Sequence, residues 1–328
     1  MAVHLDDQWS YRGYRAVTLE NDHIKADVFP ELGAKIYNLV HKRTGANLLW
    51  HHPRLELRDV PLGASYDDNF CGGWDELFPN DAAGPVGGQS YPDHGELWCQ
   101  PWEHSVERST SEVTLHLRRP SVTTTTVVKK SITLRADESQ LRFRHSIRNI
   151  GSATVQFLWK LHPALVIEAG DRLDIPGESG EIVDPSFGFV NGPSPFHWPV
   201  AAGPQGEPVD FSTVRSEDGT CDFVYVRNLR DGWCALRRTR LGVGLGLVFP
   251  KEVFSSVWVF MTFGGWRGLN TLVLEPCTAV PKDLNEAIRL GQCSRVEPGK
   301  ALTCEIRGVV FDGVDPIRRI RPDGVVER

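Results

Sequence analysis

Period-two alternation is the feature that most constrains this chain. In Leu141-Arg142-Phe143-Arg144-His145-Ser146-Ile147-Arg148, the residues Leu141, Phe143, His145 and Ile147 fall on one face and the other four on the opposite face. That is the pattern of a strand with one face buried and one face in water. Asn149 and Gly151 supply the turn that follows. The alternation recurs at 113–117 and 301–306, and β-branched runs fill 123–128 and 131–134. Strands at such short intervals, punctuated by Gly, Asp or Asn, predict an all-β antiparallel sandwich or barrel.

Residues 257–261 are apolar at consecutive positions and predict a strand buried on both faces near the centre of the molecule. Only 282–290 reads as a helix: it follows Pro281, places Leu284, Ala287 and Ile288 at helical spacing, and stops at Gly291. Two stretches, 66–101 and 175–206, are rich in Gly, Pro, Asp, Ser and aromatics and lack strand character. They are expected to be long ordered loops that carry function. The 328 residues are expected to form one domain, with a core at about 15–312 and a C-terminal tail at 313–328. The Arg318-Arg319-Ile320-Arg321 cluster is expected to be solvated.

A net charge of -6 gives no basic field for a phosphate backbone, so nucleic acid is not expected as a partner. The first residues are polar, and no run reaches about 18 apolar residues. A cytoplasmic protein with no membrane partner is expected. Seven scattered cysteines without a CxxC pair predict neither disulfides nor structural zinc.

Three segments place titratable side chains beside Gly, Pro or Trp: Pro92-Asp93-His94-Gly95-Glu96, Trp159-Lys160-Leu161-His162-Pro163 and Leu272-Val273-Leu274-Glu275-Pro276-Cys277. Pro276 cannot extend a central ladder, so Glu275 is expected at a sheet margin among apolar groups, where desolvation raises a carboxyl toward the range of a general base. His162 ends an apolar run, and His94 lies in a sharp turn. Taken singly, a histidine such as His162 is more often a packed core or rim residue than a catalyst, and, as for His94, loop histidines without function are common.

The ordered set Gly72-Gly73-Trp74-Asp75-Glu76-Leu77-Phe78-Pro79-Asn80, Asp93-His94-Gly95, His162-Pro163 and Leu274-Glu275-Pro276 resembles the motifs of the aldose 1-epimerase family and its galactose mutarotase-like relatives, over about residues 15–312. The resemblance implies a large twisted antiparallel β-sandwich with few short helices and a sugar cleft. It matches Glu275 to the general base, His162 to the general acid and His94 to a histidine that hydrogen-bonds the sugar. It further implies sugar-binding roles for Asn80 and Asp222. Trp74 and Trp258, with Trp98 and Trp198, are candidates to stack on the sugar. Glu96-Leu97-Trp98 departs from the family pattern after His-Gly, so glucose or galactose is not assumed as substrate.

The chemistry suits these residue types. A cyclic hemiacetal opens when a base takes the anomeric hydroxyl proton while an acid protonates the ring oxygen, and the two groups exchange roles when the ring recloses. No cofactor and no metal is therefore expected. Gly242-Val243-Gly244-Leu245-Gly246 lacks GxGxxG spacing and a following helix, and His51-His52 lacks a second ligand cluster. The expected partner is a small-molecule sugar, and the expected assembly a monomer or homodimer. Two other classes stay open. A hexose-6-phosphate 1-epimerase or other sugar-active enzyme would bring at least two cations to the cleft, with Arg142, Arg144 and Arg267 as the candidates. A non-catalytic carbohydrate-binding protein would hold Glu275 and His162 too far apart to serve one pyranose.

Overall fold

The computed structural model describes residues 2–184, 188–190, 192 and 194–328; part of the 175–206 stretch thus lies outside the described residues. Two large antiparallel sheets face each other. One runs Val3–Tyr11, Tyr14–Asn21, Ile24–Phe29, Lys35–His41, Trp74–Leu77, Lys160–Leu165, Asn270–Cys277, Ser256–Phe263, Thr220–Arg227, Ser179–Ile182 and Phe196–His197, with Ala46–Asn47 alongside Lys35–His41. The other runs Arg172–Asp174, Trp233–Arg238, Val243–Val248, Ala301–Asp312, Gln140–Asn149, Thr126–Arg135, Glu112–Pro120 and Glu103–Arg108. The expected all-β sandwich is what forms.

The alternating strand behaves as its pattern requires. Leu141, Phe143 and Ile147 join the core shared by the two sheets, where Phe143 packs on Trp74, while Arg144 and Arg148 are exposed. The strand at 257–261 is central, and Val257 and Val259 belong to the same core. The expected helix is Leu284–Arg289, capped by the Asp283 side chain, which accepts from the Glu286 backbone N–H.

Three expectations are corrected. The 66–101 stretch contains Trp74–Leu77, a strand buried at all four positions in the middle of the larger sheet. Burial on both faces erases the alternation that would have revealed it. Residues before 15 form an edge strand, Val3–Tyr11. The C-terminal segment is not wholly solvated: Ile317 and Ile320 are buried in a cluster with Trp233, Ala235 and Phe311, and the short hairpin of Arg319–Ile320 and Val326–Glu327 holds them there. No helix among the described residues is long and apolar enough to cross a membrane.

Candidate active site

Directly paired residues on neighbouring antiparallel strands present their side chains on the same face. Asp75 pairs with His162, Glu275 with Trp258, and Trp258 with Tyr225. Pairing of Lys160 with Cys277 and of Ala164 with Val273 sets His162 level with Glu275. One row therefore crosses the larger sheet: Asp75, His162, Glu275, Trp258, Tyr225. Lys160, two residues from His162, shares that face, and Val273, Phe260 and Phe223 form a second row beside it. This is the face turned away from the other sheet.

Glu275 is not at a margin. Its strand is central, between Lys160–Leu165 and Ser256–Phe263, and the residue is 1% exposed. The ladder between Lys160–Leu165 and Asn270–Cys277 pairs residues at 160, 164 and 165 and skips those between. Pro276 falls in that gap on one side and pairs with Val257 on the other.

Loops cover the row from both sides. Tyr66, Phe70 and Trp98 cluster with Leu77, Ala164 and Val273, while Tyr225 and Trp258 cluster with Leu284 and Ala287 of the Leu284–Arg289 helix. Between the two clusters lies a cleft of about 230 Å³. Its polar end carries Asp81, His94, Lys160, His162 and Glu275, its apolar wall Phe70, Phe223, Phe260 and Trp266, and its remaining lining includes Asp67, Asp184 and Lys282. A larger, shallower depression lies on the other sheet and is lined by residues such as His116, Lys129 and Arg144.

The buried charges are arranged in a chain. Lys160 Nζ lies 2.5 Å from Asp81 Oδ2 and 2.5 Å from Glu275 Oε2, and 4.6 Å from the centre of the Trp258 ring. Glu275 Oε2 is 3.7 Å from His162 Nε2. His162 Nδ1 is 3.0 Å from the Tyr66 hydroxyl, which donates to Asp75 Oδ2 at 3.0 Å. His94 is held by Asp93 at 2.8 Å through Nδ1, and its ring stacks on Tyr66 with centroids 4.4 Å apart. The turn that aims it has positive φ at both His94 and Gly95, and Glu96 N–H donates to the Phe78 carbonyl just behind it.

Burial pushes the Glu275 carboxyl up to about 7, against the opposing pull of Lys160. Burial, then the charges of Lys160 and His94, holds His162 well below its usual range. Burial would lower His94 too, but Asp81 and Asp93 outweigh it and raise the ring. Lys160 stays an ammonium because Asp81 and Glu275 overcome its desolvation. The site thus offers a carboxyl poised to exchange a proton near neutrality beside an imidazole that stays neutral.

The structure brings Glu275, His162 and His94 to one cleft. It does not bring the other six candidates there. Asn80 lies behind the turn, donating to the carbonyls of Ala82 and Pro92. Asp222 points from the opposite face to its neighbour Phe223 and pairs with Arg215 at 2.7 Å. Trp74 is in the core between the sheets, and Trp258 is fully buried beneath Lys160. Trp98 is buried against Tyr66 and Trp198 against Phe211. Trp266, half-buried on the cleft wall, is the tryptophan placed to meet a ligand. Lys160, Asp81 and Tyr66 were not foreseen; for Lys160, the two-residue spacing to His162 was the available signal.

Residues 6–81 match a family model described as a domain of unknown function, DUF5107. No curated protein matches the sequence. Solved structures do match the fold. A candidate aldose 1-epimerase from Klebsiella pneumoniae superposes with a TM-score of 0.72 at 12% identity, covering 95% of this chain and 83% of that one. A galactose mutarotase-like protein from Clostridium acetobutylicum gives 0.69 at 11%, covering 95% and 99%. A protein from Synechocystis sp. PCC 6803 gives 0.68 at 17%, covering 94% and 99%. Together with the two facing antiparallel sheets, these likenesses make the chain a galactose mutarotase-like β-sandwich.

Proposed function

We propose that the protein is an aldose 1-epimerase (mutarotase), interconverting the α and β anomers of a sugar by acid–base ring opening. The observation that carries this reading is the 3.7 Å approach of Glu275 Oε2 to His162 Nε2 at the floor of a cleft with an aromatic wall. The anomeric hydroxyl and the ring oxygen are both bonded to C1, so two groups this close reach both oxygens of one anomeric centre at once. A buried carboxyl near 7 beside a neutral imidazole exchanges protons in either direction at small cost. A raised His94 adds a donor for a sugar hydroxyl, and Phe260 and Trp266 offer faces for the apolar side of a pyranose.

The sugar most compatible with the lining carries no phosphate. Arg142 and Arg144 lie on the other sheet, and Arg267 is paired with Asp68. Two lysines do line the cleft, but Lys160 is already engaged by two carboxylates, and Asp67 and Asp184 add further negative charge. The test is anomer exchange by saturation-transfer NMR across neutral, acidic and phosphorylated sugars, comparing wild type with Glu275→Gln. Enhanced exchange of one sugar, lost in the variant, is expected. Exchange that survives Glu275→Gln overturns the assignment.

A further inference from the structure

The floor of the cleft is polar on one side of the acid–base pair and apolar on the other. Strand pairing sets His162 level with Glu275, Ala164 opposite Val273, Val273 opposite Phe260 and Phe260 opposite Phe223. Residues two apart on a strand stand about 7 Å apart on one face, so an apolar row runs beside the row that carries His162 and Glu275. On the other side lies Lys160, with Asp81 bound to it. The side chains of Val273, Phe260 and Phe223 neither donate nor accept a hydrogen bond.

The aromatic wall that rises from the apolar row turns a corner. Trp266 meets Phe260 at 5.3 Å between centroids with the rings 84° apart, and Phe260 meets Phe223 at 5.9 Å and 74°. All three rings are half-buried and line the cleft. A pyranose is close to flat, so it lies face-on to only one of two perpendicular rings. Stacked on Trp266, it turns an edge to Phe260. The wall is continuous with His162, because Phe70 lies 6.3 Å from Trp266 and 5.8 Å from the imidazole, which it meets edge to face. With His162 at the ring oxygen, the edge nearest the wall is the one that starts there and runs through C5 to C6. The edge through C2, C3 and C4 then faces the side of Lys160, where His94 offers a donor and Asp81 an acceptor.

In an ordinary hexose the C5–C6 edge ends in a hydroxyl. Set against Phe260 and Val273, that hydroxyl exchanges water for carbon. The one polar atom among the side chains of the wall is the Trp266 indole N–H, which donates and cannot receive the hydroxyl proton. A methyl group in the same place leaves nothing unpaired and covers aromatic surface that the cleft otherwise leaves wet. We propose that the site selects a 6-deoxy sugar, with Phe260 and Phe223 receiving the C6 methyl group while the ring stacks on Trp266. The proposal rests on the mutarotase reading and names the substrate class of the same cleft.

Sugars that differ only at C6 test it: galactose against 6-deoxygalactose, mannose against 6-deoxymannose and glucose against 6-deoxyglucose, each in the D and L series. Anomer exchange by saturation-transfer NMR gives kcat/KM, and ligand-observed NMR titration gives Kd independently of turnover. In the pair whose remaining hydroxyls fit, kcat/KM is expected to favour the 6-deoxy member about 10- to 100-fold, with Kd moving the same way. Phe260→Tyr keeps the ring and brings a hydroxyl to the wall, and it is expected to cut the preference to less than about threefold. Equal or better use of the hydroxymethyl partner by wild type overturns the proposal, and this comparison stands whether or not the variant folds. A preference unchanged in folded Phe260→Tyr also overturns it, because the methyl group then lies elsewhere. If the 6-deoxy members bind more tightly but no sugar shows enhanced exchange, the mutarotase reading fails and the edge assignment stands. Exchange without preference at C6 is the converse, and neither exchange nor binding in any pair overturns both.

Discussion

Replacing Glu275 by Gln is expected to make the protein inactive and, at alkaline pH, more stable. Glu275 is 1% exposed, and burial raises its carboxyl from an ordinary 4.5 to about 7 although Lys160 pulls the other way. When a folded-state value lies above the unfolded one, the stability contributed is fully present below the unfolded value and is lost as pH rises through the folded value. The rise from 4.5 to about 7 corresponds to about 3 kcal/mol, at about 1.4 kcal/mol per tenfold change in proton affinity. Gln has the shape of the protonated acid and cannot ionise. Asp81 still holds Lys160 in the variant, so the substitution does not strand a buried ammonium. Urea unfolding of wild type and Glu275→Gln should therefore give similar stabilities near pH 4.5 and diverge through pH 7. By about pH 8.5 the variant should be ahead by about 3 kcal/mol, the sign expected when an active-site group is kept for function at a cost in stability. A difference that does not change with pH, or a variant less stable at pH 8.5, refutes the reasoning.

Three further outcomes are expected. Trp266→Ala should raise KM for the accepted sugar about fivefold, from loss of about 1 kcal/mol of stacking, with little change in kcat, as steady-state anomer exchange would show. Gly95→Ala should destabilise the protein by several kcal/mol, on the order of 3, because φ there is +69° and a Cβ would stand 2.1 Å from the Phe78 carbonyl oxygen; chemical denaturation and near-UV dichroism report it. Ile320→Ala should cost about 2–4 kcal/mol in the same denaturation assay, because the side chain is 1% exposed within the cluster that includes Trp233, whereas a solvated tail would lose almost nothing.

How much of this was legible in the sequence depends on whether a feature is local. The sandwich was legible because half-buried strands such as Gln140–Asn149 write their two faces into alternate residues. Trp74–Leu77 was not, because both of its faces are buried and its neighbours are glycines and prolines. Glu275, His162 and His94 were legible as residues beside Pro or Gly, but Pro276 suggested a sheet edge where there is a gap in a central ladder. Tyr66 left no signal. It begins a one-turn helix, Tyr66–Asn69, in a loop, and it meets Asp75 and His162 only after the chain has folded. Asp222 and Trp74 looked like site residues by type, yet each is one position out of phase with the cleft face, pointing opposite to Phe223 and Asp75 respectively.

Lys160 shows why the acid–base pair needs a third charge beneath it. Asp81 and Glu275 both contact its ammonium, and all three side chains are nearly inaccessible. A neutral buried lysine would be a nucleophile toward an open-chain aldehyde, but these two carboxylates keep Lys160 protonated against its desolvation, which removes it from that chemistry. In return its charge limits the rise of Glu275 and keeps Asp81 low. Lys160→Met preserves an unbranched chain between the same strands and removes only the ammonium. Both carboxyls then move upward. Because folded values above unfolded ones favour the fold at low pH and lose that advantage as pH rises, the deficit of the variant should be small near pH 5 and grow toward about 3–5 kcal/mol at pH 8. The pH above which activity falls, if any activity remains, should move up with Glu275. Urea unfolding at the two pH values decides the matter: a deficit of equal size at pH 5 and pH 8 would mean that Lys160 acts through packing, and the electrostatic account of the cleft floor would have to be abandoned.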